Sequence, residues 1–286
     1  MAIDPATALG PVRLQVADLS GLRDFYERVI GLRTLDIRDR TAHLGADDGA
    51  PLVELVERPD APVRPPGTTG LFHLAILVPS RPDLGRALER VASQGWPLSG
   101  ASDHLVSEAL YLADPERNGI ELYRDRPRDE WPYEQGSLRM ATLPLDLQSV
   151  LGEAGSEAEA ELMPPGTRVG HVHLQVSDLA AAEAFYSGIL GFEVTVRSYP
   201  GALFVSAGGY HHHIGVNTWA GEGAPPPPPG SLGLERFEVI VASEGELEQV
   251  AGRAEAAGID SERQDGELLL HDPSGNRVAL RSQTRT

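Results

Sequence analysis

Between Pro11 and Val16 apolar and polar side chains alternate, with Val12, Leu14 and Val16 on one side and Arg13 and Gln15 on the other. That period of two predicts a half-buried strand. Asp18-Leu19 then opens an amphipathic stretch through Phe25-Tyr26, and Gly31 closes it, the punctuation of a helix. The same pattern returns 160 residues later. His171-Val172-His173-Leu174-Gln175-Val176 alternates in the same way, Asp178-Leu179 opens the helix, Phe25-Tyr26 becomes Phe185-Tyr186, and Ile30-Gly31-Leu32 becomes Leu190-Gly191-Phe192.

A second, weaker pair of repeats lies between and after these. His73–Ser80 aligns with Arg236–Ser243, and each is followed by a helical stretch. Asp114-Pro115-Glu116-Arg117-Asn118 aligns with Asp272-Pro273-Ser274-Gly275-Asn276, turn chemistry before a closing apolar strand. Four strand–helix–strands modules result, at about 10–58, 70–125, 168–219 and 233–282. Modules one and two form a first domain, 9–126, and modules three and four a second, 168–284. The connecting segment, 127–167, is predicted to carry an acidic helix around Leu145–Leu162, and the run Pro225 to Pro229 must be extended.

Composition narrows the chemistry. The 286 residues carry 24 basic and 42 acidic side chains, a net charge of −18, with no basic run to attract a phosphate backbone or an anionic lipid surface. Nucleic-acid and membrane partners are therefore not expected. Cysteine is absent, which excludes thiol nucleophiles, Cys-ligated zinc and disulfides. Lysine is absent as well, so Schiff-base and P-loop chemistry are excluded. No apolar run approaches membrane-spanning length, and a cytoplasmic location is expected.

The repeated His-x-x-Leu-x-Val-x-Asp-Leu…Phe-Tyr…Leu-Gly unit, closing with Asp-Pro-x-x-Asn and a Glu on the last strand, resembles the βαβββ module of the vicinal oxygen chelate superfamily. That superfamily contains glyoxalase I, fosfomycin-resistance proteins and the extradiol ring-cleaving dioxygenases. The stretches His104–Tyr111 and Gly208–Gly215 are most similar to bacterial four-module catechol 2,3-dioxygenases. The resemblance implies an α+β fold in which modules pair into two cupped mixed β-sheets, with metal ligands on the first and last strand of each module. The four pairs of slots read Pro11 and Glu54, His73 and Glu121, His171 and about Gly215, Arg236 and Ala279. Pairing one with two and three with four gives no two-histidine site. Pairing two with three and one with four gathers His73, Glu121 and His171 in one cup and leaves the other without a site.

Two imidazoles and one carboxylate suit non-heme Fe(2+), with Mn(2+) as the replacement. His173 shares the strand face of His171 and is the alternative ligand. The resemblance further implies catalytic roles for Tyr111, ten residues before Glu121, for His104 upstream of it, and for an acid–base histidine in the triplet His211-His212-His213. His213 fits that last role best, with His211 or His212 as alternatives. His43 and His271 match nothing and are read as surface residues. The implied activity is ring cleavage of a catechol or substituted catechol by dioxygen, giving a muconic semialdehyde. The partners are then a small aromatic diol and dioxygen, and a homo-oligomer is compatible with the sequence. The competing readings are a metal-dependent isomerase or epimerase of the glyoxalase type, which would present a fourth protein ligand, and a metal-free binding protein of the same fold.

Overall fold

A computed structural model describes residues 2–46, 49–155 and 162–283. Each repeat folds as one strand, one helix and three further strands, as the alternation predicts. The strands form two large sheets, and their order shows how modules combine. In one, Ser261–Gln264, Glu267–His271, Arg277–Ser282 and Gly233–Val241 of module four are followed by Ala8–Val16, Pro51–Glu57, Thr41–Gly45 and Arg33–Arg38 of module one. In the other, Leu143–Pro144 of the connecting segment precedes Gly100–Asp103, Ser107–Ala113, Gly119–Asp125 and Gly70–Leu77 of module two, then Arg168–Gln175, Ile214–Asn217, Ala202–Ser206 and Glu193–Val196 of module three.

Two compact units are distinguishable, one of residues 14–61 and 73–170, the other of residues 1–13, 62–72 and 171–286. Each is tied together by the same two devices. In the first, Asp18 caps the helix Leu19–Phe25 by accepting from the Gly21 amide at 3.0 Å. A wider π-helical turn, Tyr26–Ile30, follows and ends at Gly31, whose φ of 87° only glycine adopts cheaply. From there the Tyr26 hydroxyl reaches the buried Asp114 carboxylate, and the Arg90 guanidinium donates to the carbonyls of Val29 at 3.3 Å and Ile30 at 2.5 Å. In the second unit Asp178 caps the helix Leu179–Glu183, a π-helical turn Ala184–Ile189 follows, Tyr186 reaches Asp272, and Arg253 donates to Ile189 at 2.6 Å and Leu190 at 3.2 Å. Phe25-Tyr26 and Asp-Pro-x-x-Asn recur because they are the two halves of one joint.

The long acidic helix expected at Leu145–Leu162 is not formed among the described residues. A short helix, Leu147–Gly152, capped by Asp146, takes its place. Residues 156–161 of that stretch lie outside the described residues. The helix is closed by Glu153, and Gly155 beyond it has a left-handed φ of 76°. Arg117 stands in the turn where the equivalent residue of module four is Gly275, and both have positive φ, 69° and 86°.

Candidate metal centre and its surroundings

His73 sits on the strand Gly70–Leu77, which runs parallel to Gly119–Asp125 with Ala75 opposite Glu121. Alternation puts His73, Ala75 and Leu77 on one face, together with Glu121 and Tyr123 of the neighbouring strand. On the next strand, antiparallel, Tyr111 is the cross-strand partner of Glu121, and Ala109 that of Tyr123. Ten residues separate Tyr111 from Glu121 because the hairpin between them folds back in that register. Ala75, Leu77, Ala109 and Tyr123 form a fully packed apolar cluster, with Tyr111 packed against it. The carboxylate of Glu121 is thereby held in a dry, low-dielectric setting, 2.9 Å from His73 Nε2.

In the other unit, His171 and His173 lie on one face of Arg168–Gln175, parallel to Ile214–Asn217, with His173 opposite Gly215. The register repeats that of module two: a histidine, then two residues on a position whose partner is Glu121 in one module and Gly215 in the other. In module four the same position pairs Glu238 with Ala279. Gly215 is thus the residue at the fourth slot. A Cβ there would stand 3.1 Å from the ring of His173, so the imidazole of His173 uses the space that a side chain would need.

One donor atom each from His73, Glu121 and His171 lie within 4.8 Å of one another, and all three side chains are buried, at 6%, 2% and 2% exposure. Two imidazole nitrogens and a carboxylate oxygen at that separation can hold one divalent transition-metal ion, whose ligand bonds are near 2 Å. In the sequence His73 and Glu121 belong to module two and His171 to module three.

The catalytic candidates have distinct settings. His104 Nε2 lies 2.6 Å from the Tyr111 hydroxyl, and its Nδ1 lies 2.7 Å from the Ala141 carbonyl oxygen. The ring of Tyr111 is 5.7 Å from that of His73. In the triplet, the ring centroid of His212 lies 4.1 Å from that of His171, the rings tilted by 48°, whereas that of His211 is 6.2 Å away. His211 and His212 share a hydrogen bond of 2.7 Å between their Nδ1 atoms. His213 Nδ1 accepts from the Ala207 amide at 3.2 Å and lies 3.2 Å from Ser206 Oγ, with the rings of Tyr210 and Phe192 beside it. Residues 211–213 are not in regular strand, so strand alternation does not assign their faces.

His271 is exposed, as read from the sequence. His43 is not a free surface residue: its side chain is 25% exposed and lies between carboxylates, Nδ1 2.6 Å from Asp36 and Nε2 3.7 Å from Glu54. The sequence missed this because Asp36 becomes its neighbour only through the pairing of Arg33–Arg38 with Thr41–Gly45.

Residues 8–122 and 168–280 each match the model of the glyoxalase/bleomycin resistance protein/dioxygenase superfamily. The chain belongs to that superfamily. It is 46% identical over 276 residues to a catechol-2,3-dioxygenase of Bacillus subtilis (strain 168), covering 95% of this chain and 96% of the relative. It is 25% identical over 191 residues to biphenyl-2,3-diol 1,2-dioxygenase 3 of Rhodococcus globerulus, covering 65% and 86%. Among solved structures, glyoxalase I from Zea mays shares the fold, with a TM-score of 0.58 at 17% identity over 96% of this chain and 92% of that one. The superfamily member is thus an extradiol-dioxygenase-like enzyme in sequence, with a glyoxalase-type fold. No helix among the described residues is long and apolar enough to cross a membrane.

Proposed function

We propose that the chain is a non-heme Fe(2+) extradiol dioxygenase that cleaves catechol or a substituted catechol to a muconic semialdehyde, with His73, Glu121 and His171 as the metal ligands. The observation that carries this reading is the donor set, two imidazoles and one carboxylate within 4.8 Å of one another, with glycine at the fourth slot. A divalent ion with two neutral histidines and one Glu keeps a net charge of +1, which a singly ionised catechol neutralises. Bound there, iron would supply Lewis acidity to the diol and a path for electrons from ring to dioxygen. Both atoms of dioxygen enter the product, so the reaction balances without a further reductant. The 46% identity to a catechol-2,3-dioxygenase supports the same substrate class.

The chain's own groups have separable tasks. Ala75, Leu77, Ala109 and Tyr123 keep water from the carboxylate side. Tyr111, cross-strand from Glu121, is placed to hydrogen-bond a diol oxygen, backed by His104. Within the triplet we assign the acid–base role to His212, whose ring lies 4.1 Å from that of His171 and whose Nδ1 is held by His211. Loading the protein anaerobically with Fe(2+), then adding catechol and air, tests the reading. A yellow ring-fission product is expected. Metal-dependent isomerisation of a hemithioacetal, without ring cleavage, would replace the reading with the glyoxalase type.

A further inference from the structure

The connecting segment carries the short strand Leu143–Pro144, whose residues pair with Asp103 and Ser102 at the edge of module two. Just before it, Ala141 meets His104 twice: its amide donates to the His104 carbonyl at 3.4 Å, and its carbonyl oxygen lies 2.7 Å from His104 Nδ1. The turn that presents His104 is itself constrained. Leu105 has φ 69°, a left-handed conformation that costs a branched side chain energy. The Leu105 amide donates to Asp103 at 2.8 Å, and Arg126 holds the other Asp103 oxygen at 2.8 Å.

A main-chain carbonyl can only accept, so a 2.7 Å contact requires the proton of a neutral His104 to be on Nδ1. Nε2 is then an acceptor, and the 2.6 Å contact with Tyr111 requires the tyrosine to donate. We propose that the Ala141 carbonyl, delivered by the connecting segment, is a positioning group that fixes the Nδ1–H tautomer of His104 and so commits the Tyr111 proton to His104. Toward a substrate, Tyr111 then serves as hydrogen-bond acceptor. Resting on the dioxygenase reading, its partner is the diol hydroxyl that keeps its proton when the other oxygen is ionised, so the pair distinguishes the two oxygens of one catechol. The connecting segment, which belongs to none of the four repeats, thereby takes part in the site.

The tautomer is read directly by long-range proton–nitrogen correlation spectra of the full, metal-free chain labelled with 15N-histidine. His104 should show a protonated Nδ1 and an unprotonated Nε2. Tyr111→Phe should leave that pattern in place, since Ala141 and not Tyr111 determines it. Replacing residues 139–144 by a glycine–serine linker of equal length should move the proton to a mixture of both nitrogens and lower kcat/KM for catechol about tenfold, the worth of one hydrogen bond. A proton on Nε2 in the native chain overturns the proposal, as does a tautomer that changes in Tyr111→Phe. If the linker variant fails to fold, the native and Tyr111→Phe spectra still decide it. An Nδ1–H signal in a chain that cleaves no catechol upholds the tautomer and removes the dioxygenase reading.

Discussion

The Tyr186 hydroxyl donates to the Asp272 carboxylate at 2.8 Å, and Tyr26 donates to Asp114 at 3.3 Å in the other unit. Each carboxylate also accepts from the backbone and side-chain amides of the Asn four residues on, Asn276 and Asn118. All of these groups are buried, so removing the hydroxyl leaves an acceptor short of a donor with no water to replace it. Tyr186→Phe should lower the unfolding free energy of the metal-free protein by about 1.5–3 kcal/mol, and Tyr26→Phe by less because its bond is longer. Urea midpoints at neutral pH, with unchanged m-values, measure both.

Burial pushes the Asp114 carboxyl up to about 6, against the stabilising hydrogen bonds from Asn118 and Glu116. The folded state therefore holds its proton to higher pH than the unfolded chain does. Stability from this group is full below about pH 4, declines as pH rises toward 6, and is lost above it, a change of about 2–3 kcal/mol. Asp114→Asn should remove that slope. Urea titrations of the metal-free protein from pH 4 to 7 would contradict the assignment if the two proteins kept parallel profiles.

Glu121 is the only carboxylate in the donor set, so Glu121→Ala takes away the one anionic ligand and leaves two imidazoles. Metal affinity should fall by more than about 100-fold, beyond the 10–100-fold typical of losing a group that merely orients a ligand. Elemental analysis after loading and desalting reports the loss. Retention of one equivalent of iron in Glu121→Ala would dismiss the triad.

Much of this was legible before folding because repeats report on slots. His73 and His171 stood at equivalent positions, Arg236 and Pro11 at the positions that lost their histidines, and only one combination of modules made a site. What stayed hidden depended on contacts with no period. The three consecutive histidines leave the strand geometry, so no alternation rule could rank them. Ala141 carries no chemistry in its side chain, and its role comes from a carbonyl that only the docked connecting strand brings to His104. His43 looked idle because its carboxylate partners come from neighbouring strands.

Gly215 and His173 compete for one space. A Cβ on residue 215 would sit 3.1 Å from the His173 ring, tight enough that the ring must move. Gly215→Ala should therefore destabilise the native chain by about 1–3 kcal/mol and cost much less in a His173→Ala background. A double-mutant cycle in urea measures the coupling, and additive effects would refute it. Gly215→Glu with His173→Ala restores a carboxylate at the fourth slot. That variant should retain Zn(2+) more tightly than the native chain and lose ring cleavage, because the position a substrate oxygen needs is filled.

The triplet offers the sharpest separation of roles. The His212 ring lies 4.1 Å from that of His171, tilted by 48°, and its Nδ1 is engaged by His211. His213 has its Nδ1 engaged by the Ala207 amide and Ser206 and packs beside Phe192 and Tyr210. His212→Phe should keep its iron and lose turnover by roughly 10²–10⁴, the usual worth of a positioned acid–base group. The loss should be accompanied by disappearance of the acidic limb of the pH–rate profile, a change that mispacking alone would not produce. His213→Phe should cost less turnover and more stability, since it removes a partner of the Ala207 amide and the Ser206 hydroxyl. Iron content, kcat against pH and urea midpoints on the two variants make the comparison, and the opposite ranking would return the acid–base role to His213, the residue that the sequence pattern favoured.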